Sequence, residues 1–252
     1  MATDPLAPFR LDPASSAILL DVDGTLAPIV DHPDLSAVLP STLEVIERLV
    51  ERYGLVACVS GRAAVDAAWL VPVAGVRFVG NHGLELLEDD VLHHAPGVQE
   101  WLPIVASAAR AIAPIAAEVG AWVEDKGATL SVHLREAPDP TLAREVLVTR
   151  AVPLITAAGL GWRWGRMTLE ARPPLEQDKG TAVQHLLAEH PTIVRSLYAG
   201  DDQTDLDAFG VVDVAIAVAS DEAPAELGVA AVLTVDGPAG LATLLESLAN
   251  SE

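Results

Sequence analysis

Ile18-Leu19-Leu20-Asp21-Val22-Asp23-Gly24-Thr25-Leu26 is the stretch that decides how this chain is read. An apolar run ends abruptly in two carboxylates one residue apart, and a glycine and a hydroxyl follow at once. The run predicts a buried parallel strand, and Gly24 the sharp turn after it. Open α/β sheets bind ligands at the carboxyl ends of their strands. Two acids placed there repel each other and lose hydration, a cost that a cation or a substrate offsets. A helix-capping Asp followed by a turn is the alternative reading of the same residues.

The chain around this stretch has 252 residues, enough for one large domain or two modest ones. A hydrophobic fraction of 51% supports a sizeable core. The net charge of −21, with no basic run, speaks against binding nucleic-acid phosphates or acidic membrane surfaces. No secretory leader and no run of 18 apolar residues is visible, so neither a membrane partner nor a membrane span is expected. The single cysteine, Cys58, lies in the apolar run Leu55–Val59 and reads as a buried thiol. That usage fits a reducing, cytoplasmic setting. Arginine supplies thirteen positive charges and lysine only two, Lys126 and Lys179. In so lysine-poor a chain, the two survivors suggest places where a compact point charge is needed.

Working outward, residues 1–14 carry three prolines and read as an irregular arm. A strand at 17–20 is followed by a helix opened by Ser41 and closed by Gly54, then a strand at 55–59 ending in Ser60-Gly61-Arg62. A helix at 63–70 and a strand at 76–79 complete a βαβ pattern. The texture changes near residue 88. Between 89 and 171 lie four of the five tryptophans, a helix at 100–117, strands at 121–124 and 129–135, a helix capped by Asp139-Pro140 and interrupted at Pro153, and a strand through 162–170. This region reads as an inserted α+β domain, so the expected divisions are 1–88, 89–171 and 172–252. A helix from Lys179 to Leu187, strands at 196–199, 214–218 and 231–234, and a last helix from Pro238 return to the parallel-sheet pattern.

A parallel sheet gathers its strand-end loops on one edge. They would bring together Asp21, Asp23 and Thr25; Ser60, Gly61 and Arg62; Lys179; and Asp201, Asp202, Thr204 and Asp205. Carboxylates, hydroxyls and an ammonium on one rim suit phosphoryl transfer: hard oxygens bind Mg²⁺, hydroxyl and ammonium groups hold phosphate oxygens, and a carboxylate can attack phosphorus. No P-loop and no Gly-x-Gly-x-x-Gly fingerprint is present.

Asp-Val-Asp-Gly-Thr, Ser-Gly-Arg, Lys-Gly and Gly-Asp-Asp-Gln-Thr-Asp, in this order, resemble the four motifs of the haloacid-dehalogenase superfamily, with the insert placed as a C2-type cap on a Rossmann-like core. Gly80-Asn81-His82-Gly83-Leu84-Glu85, Val123–Lys126, His133-Leu134-Arg135, Glu170 before Arg172-Pro173, and Gly200–Phe209 resemble the trehalose-6-phosphate phosphatase family over most of the chain. Val22 stands where an aromatic is common, and Leu206 where Glu is common.

The resemblance implies a Mg²⁺-dependent phosphatase acting on trehalose 6-phosphate through an aspartyl-phosphate. Asp21 is then the nucleophile and Asp23 the acid and base. Asp21, Asp201 and the backbone carbonyl of Asp23 hold the metal, with Asp202 and Asp205 orienting its ligands. Thr25, Ser60 and Lys179 grip the phosphoryl group. Glu124, Lys126 and Glu170 match positions that contact the sugar, and Arg62 and His82 touch substrate or brace the core loop.

Competing readings stand beside these roles. Asp202 and Asp205 could be helix caps, Glu124 and Lys126 a surface ion pair at i and i+2, His93 and His94 exposed turn residues, and the tryptophans cap core. The substrate could be another sugar phosphate, sucrose-phosphate-like or glucosyl-glycerate-like. An Asp-x-Asp pair also holds metal in nucleotide-sugar glycosyltransferases, but that leaves Lys179 and the later acidic motif unexplained. A non-catalytic sugar-phosphate binder predicts a missing nucleophile or ligand, and none is missing. The family also suggests a functional link to a trehalose-phosphate synthase.

Overall fold

The computed structural model describes residues 4–165, 167–220 and 223–250. Among them are twelve strands: β1 (Ser16–Leu20), β2 (Leu55–Val59), β3 (Arg77–Gly80), β4 (Glu85–Glu88), β5 (Val91–His94), β6 (Trp122–Asp125), β7 (Leu130–His133), β8 (Gly161–Gly165), β9 (Thr168–Arg172), β10 (Arg195–Gly200), β11 (Val214–Ala219) and β12 (Leu233–Asp236). The chain divides into two compact units. The first comprises Met1–Ile29, Ser36–His93 and Gln177–Glu252; the second comprises Val30–Leu35 and His94–Glu176. That the short segment Val30–Leu35 groups with the second unit has no signal in the sequence.

The first unit is built on one sheet of order β12-β11-β10-β1-β2-β3-β4-β5. From β12 to β3 the neighbours run parallel, and β4 returns antiparallel to β3. Every residue of β1 and β2 is buried, because the sheet is covered on both faces. Side chains alternate accordingly. Ile18, Leu20, Val56 and Cys58 pack with Ile46 and Leu49 of the helix Pro40–Arg52 and with Leu241, Leu245 and Leu248 of the helix Gly237–Ala249. Ala17, Leu19, Ala57 and Val59 pack on the other face with Val183 and Leu186 of the helix Lys179–Ala188. Cys58 is buried as expected, and burial pushes its thiol up, out of reach of ionisation.

The second unit is a four-stranded antiparallel sheet of order β6-β7-β9-β8. Val123, Val132, Leu169 and Trp164 form one cross-strand row, and this face packs on Val105, Ala108 and Ile112 of the helix Val98–Ala117. Asp139 caps the next helix, accepting from the backbone N–H of Thr141 and Leu142 at 3.1 and 3.0 Å. Pro153 splits that helix as predicted. It sits in the first turn of a new helix, Val152–Ala157, after a wider π-type turn at Leu147–Ala151. Proline offers no N–H to the preceding turn, so the ladder breaks there.

Several elements differ from expectation. The described part of the arm at 1–14 contains a helix, Ala7–Leu11, whose Phe9 is buried in the core; residues 1–3 lie outside the described residues. Proline in the first turn starts this helix rather than preventing it. The same is true of Pro40, which displaces Ser41 as the start of its helix. The single strand expected through 162–170 is a hairpin, β8 and β9; Arg166, which the expected strand spanned, lies outside the described residues. Just past residue 88, where the sequence changes texture, Asp89 and Asp90 join strands β4 and β5, and both adopt left-handed backbone angles. His93 and His94 therefore lie in a strand, not a turn. The strand expected at 231–234 sits two residues later.

Candidate active site

β1 lies between β10 and β2, and the chain leaves it in opposite directions across the sheet: β2 and β3 extend one side, β10 to β12 the other. This is a topological switch point, where a crevice forms beyond the strand ends. Leu20 pairs with Ala199, so Asp21 and the Gly200-Asp201 turn emerge side by side, and the Asp21 N–H donates to the Ala199 carbonyl at 2.9 Å.

Gly24 makes the turn possible. Its φ is +85°, and a Cβ there would overlap the Asp201 carboxylate. A Gly24→Ala protein should therefore lose about 2 kcal/mol of stability, through the strained φ and the displaced carboxylate. Urea unfolding measures this; a midpoint equal to the parent's would show that neither constraint operates.

Five polar side chains meet beyond this turn: Asp21 and Thr25 from the loop after β1, Asp201 from the loop after β10, and Lys179 and Asp205 from the first residues of two helices. The Lys179 ammonium donates to Asp21 Oδ1 and to Asp205 Oδ1, each at 2.7 Å. The Thr25 hydroxyl lies 3.2 Å from Asp201 Oδ1 and 3.4 Å from Asp21 Oδ2. Lys179 reaches the site because it is the first residue of its helix. Asp178 caps that helix, and Asp178 and Thr181 bond each other's backbone N–H reciprocally.

Asp205 is not a helix cap. Its Oδ2 accepts from the backbone N–H of Asp201 at 2.9 Å and of Asp202 at 2.8 Å, and its Oδ1 also accepts from the Tyr198 hydroxyl at 2.7 Å. It thereby shapes the loop that presents Asp201 and anchors Lys179. The helix that follows has Thr204 at its N-cap. Tyr198 was not singled out in the sequence, where it reads as one more residue of a buried strand. Burial, and then the charges of Asp205 and Asp21, hold its hydroxyl protonated and able to donate.

Asp21, Asp201 and Asp205 are all buried, and their carboxylate oxygens lie within 4.8 Å of one another. Burial drives the Asp21 carboxyl well above its ordinary value; Lys179 opposes this, and Asp205 and Asp201 add to it. Burial disfavours the charge on Lys179 too, but Asp205 and Asp21 outweigh it and keep the ammonium charged. Three acids thus face one ammonium. An oxygen-only donor set with excess negative charge fits a hard divalent cation. Since Asp205 is spent on four hydrogen bonds, Asp21 and Asp201 are the side chains suited to hold it.

Asp23 points elsewhere. Arg62 grips it with a two-pronged contact, Nε to Oδ2 at 2.6 Å and Nη2 to Oδ1 at 2.7 Å, and the Ser36 hydroxyl donates to Oδ1 at 3.1 Å. The Ser60 hydroxyl accepts from the Arg62 N–H at 3.2 Å, and the Ser60 carbonyl from the His82 N–H at 3.0 Å. His82 adopts φ +54°, and its ring fills the space a Cβ on Gly61 would need, so His82 braces the Ser-Gly-Arg loop. Glu85 accepts from the Ala64 N–H at 2.9 Å and satisfies the first turn of the helix Ala64–Leu70.

Glu124, Lys126 and Glu170 belong to the second unit. Strand register puts Glu124, Ser131, Glu170 and Arg163 in one cross-strand row, on the face opposite the apolar row. Arg163 Nε donates to Glu170 at 2.6 Å. Glu124 lies 2.7 Å from His133 Nε2 and 3.8 Å from the Lys126 ammonium, whose side chain is only 10% exposed. The Glu124–Lys126 ion pair is thus present, but it is enclosed and not on open surface. Trp122 stacks between His32 and His133, at 4.7 and 4.2 Å between centroids. Trp101 and Trp164 pack on the core of the unit, whereas Trp162 is 41% exposed, so only part of the tryptophan set is core.

Val22 and Leu206, the departures from the family pattern, are accommodated by packing: Val22 is buried in the core, and Leu206 packs against the opposite core face.

The trehalose-phosphatase family model matches residues 19–226. The trehalose-phosphate phosphatase of Mycolicibacterium paratuberculosis is 33% identical over 246 residues, covering 93% of this chain and 62% of that protein. The chain thus spans about three-fifths of the length of the curated relatives it matches. A crystal structure of a trehalose-6-phosphate phosphatase related protein superposes with a TM-score of 0.80 at 23% identity, covering 92% of this chain and 96% of that one. A haloacid dehalogenase-like hydrolase from Bacteroides thetaiotaomicron superposes at 0.65 with 18% identity, covering 92% and 99%. These likenesses show the fold of the haloacid-dehalogenase hydrolases.

Proposed function

The chain belongs to the trehalose-phosphatase family, and from that premise we propose that it hydrolyses trehalose 6-phosphate to trehalose and phosphate through an aspartyl-phosphate on Asp21. The observation that carries the reading is the convergence of Asp21, Thr25, Lys179, Asp201 and Asp205 at the β1/β10 switch point. Residues as far apart as 21 and 201 meet where a phosphate would sit.

One carboxylate oxygen of Asp21 attacks phosphorus while Lys179 holds the other. The phosphorus bond to the sugar oxygen breaks, and Asp23 gives that oxygen a proton. Asp23 then takes a proton from water, which attacks the same phosphorus and frees Asp21. Thr25, Ser60 and Lys179 hold the phosphoryl oxygens through these steps. Bound by Asp21, Asp201 and the Asp23 carbonyl, Mg²⁺ would supply the positive charge that keeps Asp21 ionised and neutralises the phosphate. Asp202 and Asp205 orient this set.

The second unit acts as the cap that chooses the sugar, with Glu124, Lys126 and Glu170 taking its hydroxyls. Buried polar groups matched to many hydroxyls reject substrates that lack them. Arg62 and His82 serve the core loop, Arg62 through Asp23. The single buried cysteine supports a reducing, cytoplasmic setting, and the substrate's chemistry a functional link to a trehalose-phosphate synthase.

Phosphate release across a panel of sugar phosphates, with and without a chelator, tests the reading. Trehalose 6-phosphate should give the highest kcat/KM, and chelation should abolish release until Mg²⁺ is restored. Preference for sucrose 6-phosphate or a glucosyl-glycerate phosphate would overturn the substrate; activity indifferent to chelation would overturn the metal.

A further inference from the structure

The segment between Asp31 and Leu39 is largely exposed, with Leu35 at 69% and Leu39 at 59%, yet Ser36 within it is only 3% exposed. Its hydroxyl is directed at Asp23 Oδ1. The residues just before it, Val30–Leu35, group with the second unit, where His32 stacks on Trp122 and its Nδ1 accepts from the Asp34 N–H at 3.2 Å. Ser36 itself belongs to the first unit, as Asp23 does.

Arg62 alone treats the two oxygens of Asp23 alike, one prong to each. Ser36 breaks that symmetry: Oδ1 takes two of the three bonds and Oδ2 takes one. A carboxylate oxygen has two lone pairs, so the two bonds on Oδ1 occupy both, whereas the single bond to Oδ2 leaves one lone pair to carry a proton. We propose that Ser36 is a positioning residue that, with Arg62, turns Asp23 so that Oδ2 hands the proton to the leaving sugar oxygen. The inference rests on the reading of Asp23 as acid and base given above. In the step it governs, the Asp21 oxygen–phosphorus bond forms, the phosphorus–sugar oxygen bond breaks, and the Asp23 proton ends on the sugar hydroxyl.

Ser36→Ala tests it with two esters. An alkyl phosphate such as a sugar phosphate needs its leaving oxygen protonated; p-nitrophenyl phosphate expels a stable phenolate without help. In single-turnover measurements, Ser36→Ala should slow sugar release roughly tenfold, with KM unchanged. The p-nitrophenolate burst, which reports attack by Asp21, should stay within about twofold of the parent. Ser36→Thr, which keeps the hydroxyl, should restore sugar release. An equal loss in both first steps, a change in KM alone, or no change with either ester would overturn the inference. A parent that releases phosphate from no ester overturns instead the reading of the reaction; a parent active on a different sugar phosphate overturns only the substrate, and Ser36→Ala is then read on that ester.

Discussion

Asp21→Asn is expected to abolish phosphate release, by a factor on the order of 10⁴ or more, while leaving the protein folded and, without metal, more stable than the parent. The amide cannot form an acyl-phosphate bond, so the first chemical step has no substitute nucleophile. The stability gain follows from the crowding of Asp21 by Asp201 and Asp205 in a buried site with one ammonium. Its carboxyl binds a proton more tightly in the folded protein than at its ordinary value of 3.8. Folded chains therefore hold more protons than unfolded ones above that value, and stability falls as pH rises through the raised folded pKa. Asparagine has no such dependence. Melting temperatures in chelator should diverge as pH rises from 4 to 8, with the variant higher. A variant that melts below the parent at pH 8 without metal would contradict the assignment of excess negative charge, and measurable steady turnover would remove Asp21 as nucleophile.

Lys179→Met should have the largest effect on folding. It keeps the aliphatic stem but takes away the one ammonium that touches both Asp21 and Asp205. Removing one partner of a buried ion pair typically costs about 3–5 kcal/mol. The acids left behind take up protons as pH falls, so the loss should be greater at pH 8 than at pH 5. Urea midpoints at both pH values measure it. Mg²⁺ should restore part of the stability, since a cation again meets the carboxylates, but not the turnover, because Lys179 also holds a phosphoryl oxygen in the proposed mechanism. Midpoints indistinguishable from the parent at both pH values would show that Lys179 is not the counter-charge of the site.

The two lysines illustrate how composition can anticipate structure. Lys126 and Lys179 both lie in enclosed polar clusters, at 10% and 3% side-chain exposure, each beside carboxylates. β1, β2 and β10 were legible because their apolar stretches stop at Asp21, Ser60-Gly61 and Gly200. The hairpin of β4 and β5 was not, because β5 is short and exposed, with no alternation to betray it. The helix Asp205–Phe209 was hidden for a different reason: its five residues are too few to show a helical period.

At the site itself, the identity and order of the reacting groups are written in local stretches: Asp21, Asp23, Thr25, Ser60, Lys179 and Asp201 each stand at a strand end or helix start that sequence pattern marks. What each group does to its neighbours is not local. That Asp205 spends its oxygens on Lys179, Tyr198 and two backbone N–H groups, that Arg62 clamps Asp23, and that Ser36 selects one of its oxygens depend on hydrogen bonds between residues brought together only by the fold. Periodicity records which face of an element is apolar; a directional bond of 2.7 Å between residues 21 and 179 leaves no periodic trace and is set by how the strands and helices pack.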